Sequence, residues 1–418
     1  MDKFIIEGGK PLYGEVEIQA AKNAVLPLLA ASILTEERVT IHRCPRINDV
    51  MNMIQILNEI GCRTSFVGET LIVDSADAAN HEIPSALAKE LRSSVFMLGS
   101  VITRFGKARI AYPGGCDIGL RPVDLHLKGL RALNVNITED GGFINCECGR
   151  VVGAEVLLDC PSVGATENII LASVKCEGET VLRNAAKEPE ICDLQNFLNE
   201  MGAKIAGAGT STIRITGVKK LRGIEYTPMP DRIETGTFLI AAAMCGGEVS
   251  LKNTVADNIA SVIHKLREIS CKITVKNDKI YIKSGSMRKS LRLVETMPYP
   301  GFPTDLQAPI TALACTAEGS TVIVENLFET RFKHVPELIR MGADITVRGR
   351  AAFVRGVGAL HGADVVAGDL RGGAALTLAA ISAQGCSTVT DLSHIDRGYS
   401  GFEYKLASLG AKIRRIRV

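Results

Sequence analysis

The chain has 418 residues, of which 46% are hydrophobic and 22% charged, with a formal net charge of +2. That is enough apolar material for two cores, and so even a balance carries no electrostatic footprint for a nucleic-acid partner. The opening "MDKFIIEGG" enters a strand pattern without signal-peptide regions, and apolar runs such as "AVLPLLAASIL" are too short to span a bilayer, so no membrane partner and a cytoplasmic location are expected. Twelve cysteines then sit in a reducing compartment, without the spacing of a zinc site.

Taken in chain order, one pattern recurs six times. A helical run ends in a stop before a strand in "LNEIGCRT", "LRALNVNI", "LNEMGAKI", "LREISCKI", "LIRMGADI" and "LASLGAKI". The stop residues Gly61, Asn134, Gly202, Ser270, Gly342 and Gly410 lie 73, 68, 68, 72 and 68 residues apart. Glycine and asparagine accept the left-handed conformation that closes a helix, which leaves Ser270 as the exception. In phase with these stops, a second helix leads through a glycine turn into a strand in "RFGKARI", "CEGETVL", "CGGEVSL", "AEGSTVI" and "QGCSTVT", with a poorer first copy in "LTEERVTI".

Helices such as "TFLIAAAMC" and "PITALACTA" are apolar nearly all round and are predicted to be buried, while "KITVKNDKIYIK" alternates as a strand with one wet face. The fold predicted is α/β, with six repeats of about 70 residues, buried helices and outer sheets. Three repeats form each of two similar domains, residues 22–229 and residues 1–21 plus 230–418, joined near "TPMPDRIE" where Pro228 and Pro230 break the pattern. A solenoid scaffold is the alternative, but the repeat is long for one.

Each apolar helix begins with polar residues: Lys22 and Asn23, Arg92 to Ser94, Ser162 to Gly164, Asp231 and Arg232, Thr304 and Asp305, and Asp369 to Arg371. A basic residue at a helix start works against the helix dipole by roughly 0.3–1 kcal/mol. An anionic ligand gives such residues a purpose. The alternative is that Ser, Thr and Asp are plain N-caps and the basic groups are solvated. Arg121, Arg331 and Arg397 in loops add to a reading of a ligand with several negative charges. The loop "PGGCDIGLRPVD" sets Cys116 between glycines and Arg121.

The strings "KNAVLPLLAASIL", "PGGCDIGLRPVDLH", "SVGAT", "PDRIETGTF", "GFPTDLQA", "ETRF", "HVPEL", "DLR" and "HIDRGY" resemble, in order, the UDP-N-acetylglucosamine 1-carboxyvinyltransferases of the enolpyruvyl transferase family. The resemblance implies a two-domain inside-out α/β barrel with three repeats in each domain. It also implies a reaction of peptidoglycan synthesis in which the enolpyruvyl group of phosphoenolpyruvate moves to the 3'-hydroxyl of UDP-N-acetylglucosamine and phosphate leaves, with no cofactor and no metal. Fosfomycin is the covalent inhibitor it implies.

Residue by residue, the resemblance makes Cys116 the acid that protonates the phosphoenolpyruvate methylene carbon and Asp305 the base near the sugar hydroxyl. Lys22, Arg121 and Arg397 clamp the phosphoenolpyruvate anions, with Arg331 and Arg371 as further contributors, and Asn23 and Arg92 stand where the two substrates meet. Arg121, Pro122, Val123, Asp124 and Leu125 wrap the uridine, Ser162, Val163 and Gly164 meet the diphosphate, and Leu327 lies near the nucleotide or sugar. Asp231 and Asp369 are second-rank candidates. Cys160 stands where some relatives carry Lys, and Thr330 where they carry Asn. Cys176, Cys245, Cys315 and Cys386 read as core, and His126, His334 and His394 as structural hydrogen-bonding groups. Two rival functions remain: the shikimate-pathway enolpyruvyl transferase, and a catalytically silent UDP-sugar-binding paralogue.

Overall fold

A computed structural model describes residues 2–112, 123–285 and 289–417. Their contacts fall into two compact units, residues 20–112 with 123–229, and residues 2–19 with 230–285 and 289–417. Each unit holds three four-stranded sheets of one design, in which an outer strand pairs in parallel with its neighbour and the other two pairings are antiparallel. One sheet runs Asp364–Val366, Cys386–Thr390, Lys3–Glu7, Lys412–Ile416. The N-terminal strands Lys3–Glu7 and Leu12–Glu17 thus complete two sheets otherwise built from the second half of the chain.

The helices sort by their apolar pattern. Lys22–Ala31, Met97–Phe105 and Val163–Ser173 in one unit, and Arg232–Cys245, Gln307–Cys315 and Leu370–Ser382 in the other, are buried over most of their surface. Between Met97–Phe105 and Val163–Ser173 the approach is too close for a side chain: a Cβ on Gly99 would sit 2.3 Å from the Asn168 carbonyl oxygen, and the Gly99 N–H donates to Asn168 Oδ1 at 2.7 Å. The remaining long helices are amphipathic; Asn48–Ile60 buries Val50, Met53, Ile54, Leu57 and Ile60 on one stripe. In each unit the helices lie inside and the sheets outside, as the sequence pattern predicts.

The six stops share one hydrogen-bond geometry. All six residues have positive φ, from 67° at Asn134 to 104° at Gly61 and Gly202, and Ser270 joins them at 76°. The next residue donates its N–H to the carbonyl five positions back: Cys62 to Leu57, Val135 to Leu130, Ala203 to Leu198, Cys271 to Leu266, Ala343 to Leu338 and Ala411 to Leu406, at 2.9–3.2 Å. Every acceptor is the buried leucine that opens the repeated string, so the string encodes both the closing bond and its apolar anchor. Ser270 is no exception in shape; it takes the same conformation with a side chain that disfavours it.

Gly202→Ala should therefore cost about 1–2 kcal/mol, since nothing lies within 4 Å of the added methyl and the loss is backbone strain alone. Ser270→Gly should move the other way by about 0.5–1 kcal/mol. Denaturant unfolding of both variants checks the pair; equal signs would contradict the assignment.

Candidate active site

The unit formed by residues 2–19 and 230–417 gathers three of the predicted residues into one cluster. Asp305 lies in a 3-10 turn, Thr304–Leu306, which runs into the buried helix Gln307–Cys315. Arg331 Nη2 donates to Asp305 Oδ1 at 2.5 Å and Arg371 Nη2 to Oδ2 at 3.2 Å. Both arginine side chains are only 5% exposed, whereas Asp305 keeps 26%, so the carboxylate is the part of the cluster open to solvent. Each guanidinium lies near an aromatic ring, Phe328 for Arg331 and Tyr399 for Arg371. Burial works to strip the Arg371 proton, but the Asp305 carboxylate, Tyr399 and Asp231 outweigh it and raise the pKa, so the group stays charged. Tyr399 is itself fixed by a 2.9 Å hydrogen bond between its hydroxyl and Thr237 Oγ1.

Asp231 and Asp369 have a different job. Asp231 Oδ1 accepts from the Ile233 and Glu234 amides at 2.8 and 2.9 Å, and Asp369 Oδ1 from those of Arg371 and Gly372 at 3.0 and 2.8 Å. These are N-caps of Arg232–Cys245 and Leu370–Ser382, the plainer of the two meanings a polar helix start can have. Arg397 ends the 3-10 turn Ile395–Arg397 and is half-buried. Its neighbour Asp396 is gripped by Arg415 through two bonds of 2.9 and 2.6 Å. Leu327 is half-buried, with its N–H on Glu325 Oε1 at 2.9 Å.

In the unit formed by residues 20–112 and 123–229, Lys22 is the first residue of its helix and is buried. The conflict with the helix dipole is answered by Asp49, whose Oδ2 lies 2.5 Å from Lys22 Nζ with both side chains nearly buried. Asp49 carries no signal of its own in the sequence, because an acid in the first turn of Asn48–Ile60 looks like an ordinary partner of that helix's dipole. Asn23 follows Lys22 in the same first turn. Arg92 begins a short 3-10 turn, Arg92–Phe96, and is half-buried. Ser162 caps Val163–Ser173 by accepting from the Ala165 amide at 3.3 Å, and a Cβ on Gly164 would press on His126 and Phe96 at 3.0 Å. Val123 is buried, Asp124 exposed and Leu125 half-buried at the start of Asp124–Ala132. Cys116, Arg121 and Pro122 lie outside the described residues.

Other expectations need adjustment. Cys176 and Cys315 are buried, but Cys245 is only half-buried and Cys386 is exposed, because Cys386 opens its strand straight after a glycine turn instead of ending inside the helix before it. Burial pushes the thiols of Cys44, Cys62, Cys146 and Cys315 up to about 12, so these four are poor sources of thiolate near neutrality. His126 Nδ1 meets Asn168 Nδ2 at 3.1 Å and His394 lies 3.5 Å from Asp391, both structural contacts. His334 differs: it is buried and neither ring nitrogen makes a full hydrogen bond among the described residues. Among the described residues, no helix is long and apolar enough to cross a membrane.

A family model described as EPSP synthase (3-phosphoshikimate 1-carboxyvinyltransferase) matches residues 6–406. The chain is 54% identical, over all of both chains, to a UDP-N-acetylglucosamine 1-carboxyvinyltransferase 2 of Caldanaerobacter subterraneus subsp. tengcongensis. It is 48% identical, over 99% of each, to a UDP-N-acetylglucosamine 1-carboxyvinyltransferase 1 of the same organism. The chain belongs to the UDP-N-acetylglucosamine 1-carboxyvinyltransferase family. Among solved structures, the enolpyruvyl transferase NikO of Streptomyces tendae is 26% identical, with a TM-score of 0.90 over all of this chain and 99% of its own. The described sheets and buried helices are thus those of an enolpyruvyl transferase, the fold class the repeats predict.

His334 offers a test of how dry the arginine cluster is. Burial pushes its pKa down to about 4, aided by the Arg331 charge and only partly countered by Asp369 and the Arg331 main chain. The unfolded chain takes up this proton near pH 6.5, so between pH 6.5 and 4 unfolding binds the extra proton and stability falls as the pH falls. Asp193, raised to about 6 chiefly by burial, pulls the other way over part of that range, so the comparison is between wild type and His334→Gln. The wild type should lose about 3 kcal/mol more than the variant on acidification across that window, read from calorimetric unfolding; parallel curves would show a solvated His334.

Proposed function

We propose that this chain transfers the enolpyruvyl group of phosphoenolpyruvate to the 3'-hydroxyl of UDP-N-acetylglucosamine in the cytoplasm, releasing phosphate, as a step of peptidoglycan synthesis. The observation that carries the reading is the likeness to a named UDP-N-acetylglucosamine 1-carboxyvinyltransferase over the whole of both chains. The Asp305 cluster fits it, since a solvent-open carboxylate beside two buried guanidiniums can take a proton next to anionic substrates.

In the addition step the sugar 3'-oxygen attacks C2 of phosphoenolpyruvate, Asp305 takes the hydroxyl proton, and Cys116 delivers a proton to C3, giving a tetrahedral ketal. Elimination breaks the C2–O bond to phosphate and returns a proton from C3, which restores the carbon–carbon double bond. Lys22, Arg121, Arg331, Arg371 and Arg397 meet the phosphoenolpyruvate anions. Asn23 joins them, while Arg92, Arg121 to Leu125, Ser162 to Gly164, Asp305 and Leu327 meet the sugar nucleotide. Arg331 and Arg371 both bond Asp305, so an arriving anion competes with the base for the same two guanidiniums.

The second reading is the shikimate-pathway reaction, because the matching family model carries that description. Phosphate release with phosphoenolpyruvate separates the two. Turnover is expected with UDP-N-acetylglucosamine and at most about 10⁻³ of that rate with 3-phosphoshikimate, whose polar groups differ from those of a nucleotide sugar. No turnover with the sugar nucleotide would refute the reading, and would leave a silent sugar-nucleotide binder.

Fosfomycin should add one equivalent to Cys116 and stop turnover. Of the described cysteines, Cys160 and Cys386 are the exposed ones and are the competitors to look for by peptide mapping. Cys116→Asp should give no adduct yet retain turnover at lower pH, because a carboxyl can still donate a proton and has a reference pKa near 3.9. An adduct on Cys160 or Cys386 with Cys116 unmodified would overturn the role given to the loop.

A further inference from the structure

Glu325 follows the strand Ser320–Val324 and is fully buried. A buried carboxylate needs several donors, and four converge on this one. Oε1 accepts from Thr296 Oγ1 at 2.9 Å, from the Leu327 amide at 2.9 Å and from the Phe328 amide at 3.1 Å. Oε2 accepts from Thr304 Oγ1 at 2.8 Å. The Glu325 main chain is itself fixed, its N–H donating to the Arg350 carbonyl at 2.8 Å.

The donors belong to segments that carry candidate site residues. Thr304 immediately precedes Asp305 in the 3-10 turn. Leu327 and Phe328 begin the loop that leads to Arg331, and the Phe328 ring lies 5.2 Å from the Arg331 guanidinium. Arg331 in turn bonds Asp305. One carboxylate therefore joins two segments of chain that meet again at the Asp305–Arg331 bond, closing a ring of contacts with Glu325 at one side and the reacting groups at the other. Thr296 steadies the arrangement, because its hydroxyl donates to Glu325 and accepts from the Asn326 amide at 3.0 Å.

We propose that Glu325 is a positioning residue: its buried carboxylate sets the turn that carries Asp305 and the loop that carries Leu327, Phe328 and Arg331 in one fixed register. It touches no reacting atom and acts through the Thr304 hydroxyl and the two loop amides. The proposal rests on the reading of Asp305 as the base. Its expected signature is a loss in the chemical step with little change in sugar-nucleotide affinity, since a shift of the base by a fraction of an ångström harms proton transfer far more than binding.

Glu325→Ala removes all four bonds and tests folding as much as placement, so the informative variant is Thr304→Val, which removes one hydroxyl at nearly constant shape. Turnover is measured by phosphate release, UDP-N-acetylglucosamine affinity by calorimetry and folding by circular dichroism. Thr304→Val should lower kcat about 10²-fold while Kd for the sugar nucleotide stays within about threefold, and Thr304→Ser, which keeps the hydroxyl, should return kcat to within about threefold of wild type. Wild-type kcat in Thr304→Val would overturn the proposal, as would a fall in affinity matching the fall in kcat. So would a Thr304→Ser enzyme as slow as Thr304→Val, or a Thr304→Val chain that is unfolded at the assay temperature, since the bond would then serve stability and not placement. An inactive wild type is a separate outcome; it removes the functional reading and the positioning proposal with it.

Discussion

A helix that is buried over most of its surface has to be covered on nearly every side, and six such helices order the rest of this molecule. Covering them takes sheets with one dry and one wet face together with amphipathic helices, and in each unit three such buried helices lie within three sheets that share one strand pattern. A helix sealed along its length can display chemistry only at its ends. In five of the six the C-terminal end leads through a glycine-containing turn into the covering sheet, and Lys22–Ala31 leaves through the 3-10 turn Ser32–Leu34, so polar side chains collect at the start. Lys22, Ser162, Asp231, Asp305 and Asp369 all stand there, and Ser162, Asp231 and Asp369 among them serve as N-caps.

That ambiguity marks the limit of what the sequence discloses. The six stops are legible because a positive φ is a demand on one residue, and glycine or asparagine answers it in plain view; Ser270 hides because the chain meets the demand at some cost in backbone energy. Asp305, Arg331 and Arg371 are likewise singled out as candidates by the motifs they stand in. Their mutual bonds are not, since the partners lie 26 and 66 positions from Asp305 along the chain. Cys386 misleads for a related reason: whether a cysteine beside a turn faces in or out depends on the strand's register, which a single residue does not state.

Carboxylates are the least legible groups of all. Asp49 and Glu325 look like acids on wet surfaces, yet both are buried, Asp49 against Lys22 and Glu325 against the Thr304 hydroxyl beside Asp305. Their donors are distant in sequence, at 29 and 21 positions for the two threonines on Glu325. A buried acid is tolerated only where such partners already exist, so it is specified by the finished fold and leaves little local trace.

The two units balance their buried charge differently. Lys22 and Asp49 match one cation with one anion. Around Asp305, two guanidiniums share a single carboxylate, while Asp231 and Asp369 already have backbone amides on one oxygen each and His334 is driven toward its neutral form. Arg331 Nε is buried without a hydrogen-bond partner among the described residues. A buried guanidinium nitrogen left short of an acceptor is costly, although the Asp305 and Asp231 carboxylates keep the neighbouring Arg371 charged.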